Sequence, residues 1–454
     1  MLRLYDTLLG TNIQITPLNA SRFTMYVCGP TVYDVPHIGH GRSVLTFDIL
    51  RRYLEHRGLE VFHVSNITDV DDKIITRAKQ ENMDPIELAR LYEAQWWKAM
   101  DSLDVLRPHQ APKATEWIPE IVDMIELLSL GGYTYSTRDG VYLDVSRVAD
   151  YGRLAQQDLS NLQRSDRNFA DDKRQSLDFA LWKFNSKDEL FWDAPFGGGR
   201  PGWHSECVVM STGILGHNFD LHGGGLDLKF PHHENERVQA ELLGYGFSRH
   251  WMHHGFVESG GVKMSKSLGN FTTLTEMLEH YDPRSYRLLV ARSHYRSPLE
   301  VTKELAEEAT ATLRRLDQFL DRLSELTNDP SVLTRNDVAL TQEFETAMDD
   351  DLNTPVALRA VFEAVTKGNS AFDNGEFELA KSYAVQVSRA LGILGLRSSE
   401  SKPEIPDFVL ELARRRQLAK QDRDFASADS LRVQIQALGF NVEDSSNGYR
   451  VRPA

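Results

Sequence analysis

Apolar residues recur along the chain in two rhythms. Met25-Tyr26-Val27 is a short unbroken apolar run and predicts a buried strand, which turns through Gly29-Pro30. Over residues 43–55 the apolar positions Val44, Leu45, Phe47, Ile49, Leu50 and Leu54 fall at helical spacing. Residues 61–64 predict a second strand, followed by Asn66-Ile67-Thr68-Asp69 and the acidic turn Asp71-Asp72-Lys73. Helical patterns cover 85–106 and 117–130. Strand, helix and strand joined by short turns predict a doubly wound parallel sheet. Such sheets bind ligands outside the carboxyl ends of their strands, which places Cys28, His37 and Thr68 on one side.

The rhythm changes over 133–196, where one short strand (140–144), a charged loop and the apolar stretch 178–184 predict an insertion. A glycine-rich run, 197–202, enters Trp203-His204-Ser205-Glu206-Cys207. A strand over 219–222 leads to Gly223-Gly224-Gly225-Leu226-Asp227, and Pro231 is expected to open a helix reaching about Leu243. Another strand is expected over 252–257, before Gly260-Gly261-Val262-Lys263-Met264-Ser265-Lys266-Ser267. Residues 298–394 are almost purely helical in pattern, and Leu313, Leu316, Phe319, Leu320 and Leu323 form one stripe suited to core packing. A linker over 398–406 precedes a basic helix (Arg414, Arg415, Arg416, Lys420, Arg423), a second helix, and an extended close broken by the hairpin signal Ser445-Ser446-Asn447-Gly448. The expected fold is α/β: a Rossmann-like doubly wound parallel sheet split by an insertion, then an α-helical domain and a small mixed α/β C-terminal module. The expected parts are 1–132, 133–196, 197–250, 251–310, 311–397 and 398–454.

Composition narrows the class. At 454 residues, 41% hydrophobic and 26% charged, the chain is of ordinary globular make-up. No run of 18 apolar residues occurs and the start is not a signal peptide, so no membrane association and a cytoplasmic location are expected. The net charge of −15 argues against a chain coated for nucleic acid. Residues 401–454 carry nine Lys/Arg against eight Asp/Glu, so the tail stands at +1 and the rest at −16. If a polyanion binds, the tail is where charge favours it. In a reducing compartment the two cysteines, Cys28 and Cys207, are not expected to form a disulfide.

Two constellations carry chemistry. His232 and Glu236 are four apart and share a helix face. With both thiols they complete an S₂NO donor set that zinc accepts, although His204, His222 and His233 compete as ligands. His37 and His40, three apart at a helix start, can donate to one phosphate group. Lys263 and Lys266, also three apart in a glycine-preceded loop, can supply mobile positive charge to a polyphosphate.

The tetrapeptide His37-Ile38-Gly39-His40 and the pentapeptide Lys263-Met264-Ser265-Lys266-Ser267, in that order across two halves of one sheet, resemble the signatures of class I aminoacyl-tRNA synthetases. The flanking text CGPTVYDVPHIGHGR, NITDVDDK, GWHSEC, FDLHGGGLDLKFPHHENE and GGVKMSKSLGN is similar to that of the cysteinyl-tRNA synthetases over essentially the whole chain. The resemblance implies a zinc ion held by Cys28, Cys207, His232 and Glu236, which takes the substrate thiolate and so separates cysteine from the nearly isosteric serine. It implies activation of L-cysteine by ATP with Mg²⁺ to cysteinyl-adenylate and pyrophosphate, then transfer to the terminal adenosine of tRNA(Cys). His37, His40, Lys263 and Lys266 would be catalytic, the histidines and Lys266 holding ATP phosphates and Asp227 its ribose. Gly29, Thr68, Trp203 and His204 would line the amino-acid pocket, with plain core packing an equal reading for Trp203. Residues 251–310 would contact the tRNA stem, 311–397 the tRNA, and 398–454 its anticodon, with Tyr449, Arg450 and Arg452 as candidate contacts. A monomer is expected. Two other readings stand beside this one: a cysteine:amino-sugar ligase of the mycothiol type, and a non-catalytic tRNA-binding paralogue.

Overall fold

The computed structural model describes residues 1–156, 172–185, 190–259, 262–263, 273–324, 341–397, 406–445 and 448–453. It divides into a unit Met1–Arg397 and a unit Ser398–Ala454.

At the centre of the first unit is a four-stranded sheet in the order Glu60–Ser65, Arg22–Val27, Asn218–Gly225, Phe247–His254, with every neighbouring pair parallel. The second strand in the chain lies on one side of the first and the third on the other, so the strand order reverses between Arg22–Val27 and Asn218–Gly225. That reversal opens a crevice at the carboxyl ends, where Cys28, Asn66 and Gly225 stand. The helix Ile38–His56 crosses between the first two strands. It packs closely on the sheet because position 223 is glycine: a Cβ there would stand 2.3 Å from the Phe47 ring.

Three expected boundaries move. The last strand of the sheet runs Phe247–His254, not 252–257, because His250, His253 and His254 are buried although they read as polar. The helix carrying Glu236 is Glu234–Leu242, preceded by a tight turn Lys229–His233 that holds Pro231 and His232. The insertion is a four-stranded antiparallel sheet, Thr134–Ser136, Gly140–Leu143, Phe179–Phe184 and Gly199–Pro201. Its last strand leads through Gly202, whose N–H donates to Leu181 O at 2.8 Å, into the helix Trp203–Leu215. The insertion thus sets the start of the helix that carries Cys207.

The helices Pro283–Arg292, Lys303–Ser324, Gln342–Asp349, Thr354–Asp373 and Phe377–Ile393 follow. Leu313, Leu316, Phe319 and Leu323 are buried in one core with the Ile38–His56 helix, and Leu320 packs at its edge. Arg287 locks the two parts together: its Nη1 lies 2.8 Å from Asp48 Oδ2, both side chains being 1% exposed. Burial alone would raise the Asp48 pKa, but Arg287, Arg52 and the Leu106 N–H more than offset it and hold the carboxyl below its ordinary 3.8. Arg287→Met leaves a buried carboxylate with Arg52 and Leu106 as its remaining partners. The expected loss is about 3 kcal/mol at neutral pH by urea denaturation, at the low end for a broken buried pair. Because the folded pKa is depressed, the pair stabilises above about pH 4 and that contribution fades as pH falls through the folded value, so the difference between variant and parent narrows in acid.

The second unit packs the helices Asp407–Gln421 and Phe425–Ala437 and the hairpin Phe440–Ser445/Gly448–Pro453 around Val409, Ala413, Ile435, Val442 and Val451. Of the basic helix, Arg416 is buried, whereas Arg414 is exposed and paired with Glu411. Tyr449 packs against this core, and the side chains of Arg450 and Arg452 lie outside the described residues.

Candidate active site

A cavity of about 600 Å³ occupies the crevice at the strand ends, large enough for a nucleotide-sized ligand. Cys28, Gly29 and Trp203 line it together with His37, His40, Lys73, Asp227 and His254. Gly29 is required where it is: a Cβ would sit 1.7 Å from Asn66 O, and its N–H donates to Asn66 Oδ1 at 2.8 Å.

Behind Cys28 lies the donor cluster. Cys28 and Cys207 are free thiols with sulfurs 3.7 Å apart, and Cys28 Sγ is 3.4 Å from Glu236 Oε1. His232 Nε2 reaches the same oxygen at 3.0 Å from the turn before the helix. The four donor atoms all lie within 4.8 Å of one another and are buried. Two sulfurs at ordinary zinc–sulfur distance and tetrahedral angle stand about 3.8 Å apart, so the spacing suits that ion. Cys207 reaches the cluster from the second turn of the helix Trp203–Leu215. Burial pushes both thiols up, Cys28 well above its ordinary value, so a thiolate pair here calls for a cation beside it.

The competing histidines separate by their partners. His222 Nε2 lies 2.7 Å from Glu236 Oε2, and His222 stacks on Trp251. His233 Nδ1 meets His253 Nε2 at 2.8 Å, leaving Nε2 without a partner, and Cys28, His222, His233 and Glu236 form a second group close enough for an ion. His204 Nδ1 stands 3.0 Å from His232 Nδ1, which leaves His232 Nε2 facing the thiols, and Trp203 stacks on the His232 ring at 4.1 Å. His204 and Thr68 do not line the cavity. Thr68 Oγ1 is used by Glu206 Oε2 and Asn66 Nδ2, both at 3.1 Å, one layer behind the wall.

His37 and His40 cap their helix reciprocally. The His40 N–H donates to His37 Nδ1 and the His37 N–H to His40 Nδ1, each at 3.2 Å, and the rings stack with centroids 3.6 Å apart. Both Nδ1 atoms therefore accept, and the proton of each neutral ring sits on Nε2. Burial lowers both imidazoles, that of His37 against the opposing pull of Asp227 and Asp34 and that of His40 to about 3. At neutral pH the pair offers two uncharged N–H donors to the cavity. Lys263 is described as backbone only, paired with Glu258 in a short strand, and Lys266 lies outside the described residues. Thr273, the first described residue after that segment, bridges His37.

Asn66 and Lys73 join the site without having been singled out as site residues from the sequence. Their one signal was position, in the run that closes the second strand. Among the described residues no helix is long and apolar enough to cross a membrane.

Residues 14–311 match the family described as tRNA synthetases class I (C) catalytic domain, and residues 343–397 the DALR domain. The chain is 41% identical over 464 residues to the cysteine--tRNA ligase of Carboxydothermus hydrogenoformans, covering 99% of each chain. It is 40% identical over 468 residues to that of Oenococcus oeni, covering 100% of each. Among solved structures, Mycobacterium tuberculosis methionyl-tRNA synthetase in complex with methionyl-adenylate superposes with a TM-score of 0.59 at 13% identity, covering 83% of this chain and 90% of that one, a likeness of fold.

Proposed function

The chain belongs to the cysteine--tRNA ligase family of class I tRNA synthetases, and from that premise we propose how its residues divide the reaction. Cys28, Cys207, His232 and Glu236 would hold one zinc ion, which would supply a soft seat for the substrate thiolate that the serine hydroxyl cannot match. The observation that carries this is the S₂NO cluster behind Cys28, which lines the same cavity as His37 and His40.

L-cysteine lies against Gly29 and Trp203, its thiol toward Cys28 and its carboxylate toward the histidines. Thr68 and His204 act from behind as positioning residues, on Asn66 and on His232. The carboxylate oxygen attacks the α-phosphorus of Mg²⁺·ATP, the bond to the bridging oxygen breaks, and pyrophosphate leaves. The Nε2–H groups of His37 and His40 donate to the phosphate oxygens on which charge grows, and Lys263 and Lys266 follow the leaving pyrophosphate. Asp227 holds the ATP ribose. A ribose hydroxyl of the terminal adenosine of tRNA(Cys) then takes the cysteinyl group and AMP departs. No protein nucleophile takes part, so positioning and charge complementarity carry the rate. Residues 398–454 read the anticodon, with Tyr449, Arg450 and Arg452 as contacts, and the protein works as a cytoplasmic monomer.

The test is an acceptor comparison with zinc-loaded protein. Cysteine-dependent exchange of pyrophosphate into ATP, much slower exchange with serine, and transfer of cysteine to tRNA are expected. Exchange followed by transfer to an amino sugar and not to tRNA would overturn the acceptor assignment, and no exchange at all would overturn the reaction.

A further inference from the structure

The acidic turn after the second strand holds a cation that the scheme above leaves idle. Lys73 sits in the first turn of the helix Asp72–Glu81, and its side chain lines the same cavity as His37, His40 and Asp227. Among the described residues it is the one lysine or arginine in that lining. Its acidic neighbours are engaged elsewhere. Asp71 Oδ1 accepts the backbone N–H of Lys73 at 2.8 Å, and Asp72 is taken by Lys183 at 2.5 Å and by Arg200. The Lys73 ammonium lies 5.3 Å from the centroid of the Tyr33 ring, also in the lining, and among the described residues no carboxylate pairs with it.

A surface lysine on a solvated helix is the plain alternative, but this position does not favour one. The first turn of a helix is the positive end of its dipole, where a cation is mildly unfavourable unless an anion faces it. The rest of the lining does not supply formal positive charge either, since His37 and His40 are neutral donors. A triphosphate entering the cavity meets one fixed cation among the described residues, and that cation is Lys73.

We propose that Lys73 is a phosphate-binding catalytic residue of the first step, its ammonium contacting the phosphate oxygens of ATP as pyrophosphate leaves. The inference rests on the adenylate-forming reading of this cavity. It assigns Lys73 to activation and not to transfer, because the polyphosphate has gone by the second step.

Lys73→Met keeps the stem and removes the charge, and Lys73→Arg keeps the charge. In cysteine-dependent pyrophosphate exchange, Lys73→Met is expected to lower kcat/KM for ATP about 10²-fold and Lys73→Arg no more than about threefold. Passage of cysteine from preformed, enzyme-bound cysteinyl-adenylate to tRNA should proceed at the parent rate in both variants. Exchange by Lys73→Met equal to the parent's, or an equal loss in both steps, would overturn the inference while leaving the reaction standing. A parent protein without cysteine-dependent exchange would overturn the reading and the inference together.

Discussion

Cys207→Ser is expected to abolish stoichiometric zinc: dialysed protein should fall from one zinc per chain to a small fraction of that, and cysteine-dependent exchange should fall by at least about 10²-fold. Replacing groups that merely orient a metal's ligands already costs about 10- to 100-fold in affinity, and a lost thiolate removes a ligand outright. The experiment also decides between the two groups of donors that the fold brings together. Cys28 and Glu236 belong to both, but Cys207 and His232 complete one, and His222 and His233 the other. His233→Gln should therefore keep its zinc, because His233 belongs only to the second group. Zinc retained by Cys207→Ser and lost by His233→Gln would move the metal to the group completed by His222 and His233. The two-thiol set is favoured on chemical grounds. Cys207 Sγ stands at long range from two neighbours, 3.7 Å from Cys28 Sγ and 3.7 Å from Asn66 Oδ1, whereas His222 already serves the second oxygen of Glu236. Removing zinc with a chelator should reproduce the Cys207→Ser phenotype in the parent, and added zinc should restore the parent alone.

How far the sequence could be read depended on what each segment buries. The first strand, the Ile38–His56 helix and the stripe along Lys303–Ser324 bury apolar residues at regular spacing, so periodicity was enough. The strand Phe247–His254 defeats the same logic: its histidines are buried, and His253 meets His233 and Thr7, so a polar-looking run lies in the core. The outer strands of the insertion are three residues each, too short for any period, and Gly199–Pro201 reads as loop from its glycine and proline. At the site, the spacing of His232 and Glu236 predicted that the two side chains meet, and they do, at 3.0 Å, although His232 lies in the turn before the helix and not on its face. Spacing did not say that Thr68 and His204 stand behind the wall, because that depends on partners far away in sequence, Glu206 and His232. Lys73 was visible as a residue but not as a member of the lining, which the sheet crossover alone brings about.

His40→Asn should lower the rate of pyrophosphate exchange about 10²- to 10³-fold, the usual cost of one preorganised donor to a developing anion, with KM for ATP little changed. The substitution separates two jobs that one ring performs. An asparagine Oδ1 can still accept the His37 N–H, so the helix cap and the melting temperature should hold, while the Nε2–H donor is gone. His40→Gln, whose amide reaches closer to the Nε2 position, should recover part of the rate. His37→Asn should behave alike, and the double variant should lose less than the product of the single losses, since the stacked rings act as a unit. The same geometry makes a pH prediction. Burial, followed by the charges of His37 and Lys73, holds His40 at about 3, so its donor form persists across pH 6–8 and it adds no acid limb to the exchange profile there. A limb near pH 6.5 that disappears in His40→Asn would mean that a charged imidazolium does the work. The reciprocal cap argues otherwise: each Nδ1 accepts a backbone N–H, and a ring protonated at both nitrogens would have to break that bond, opening the helix start that positions the pair.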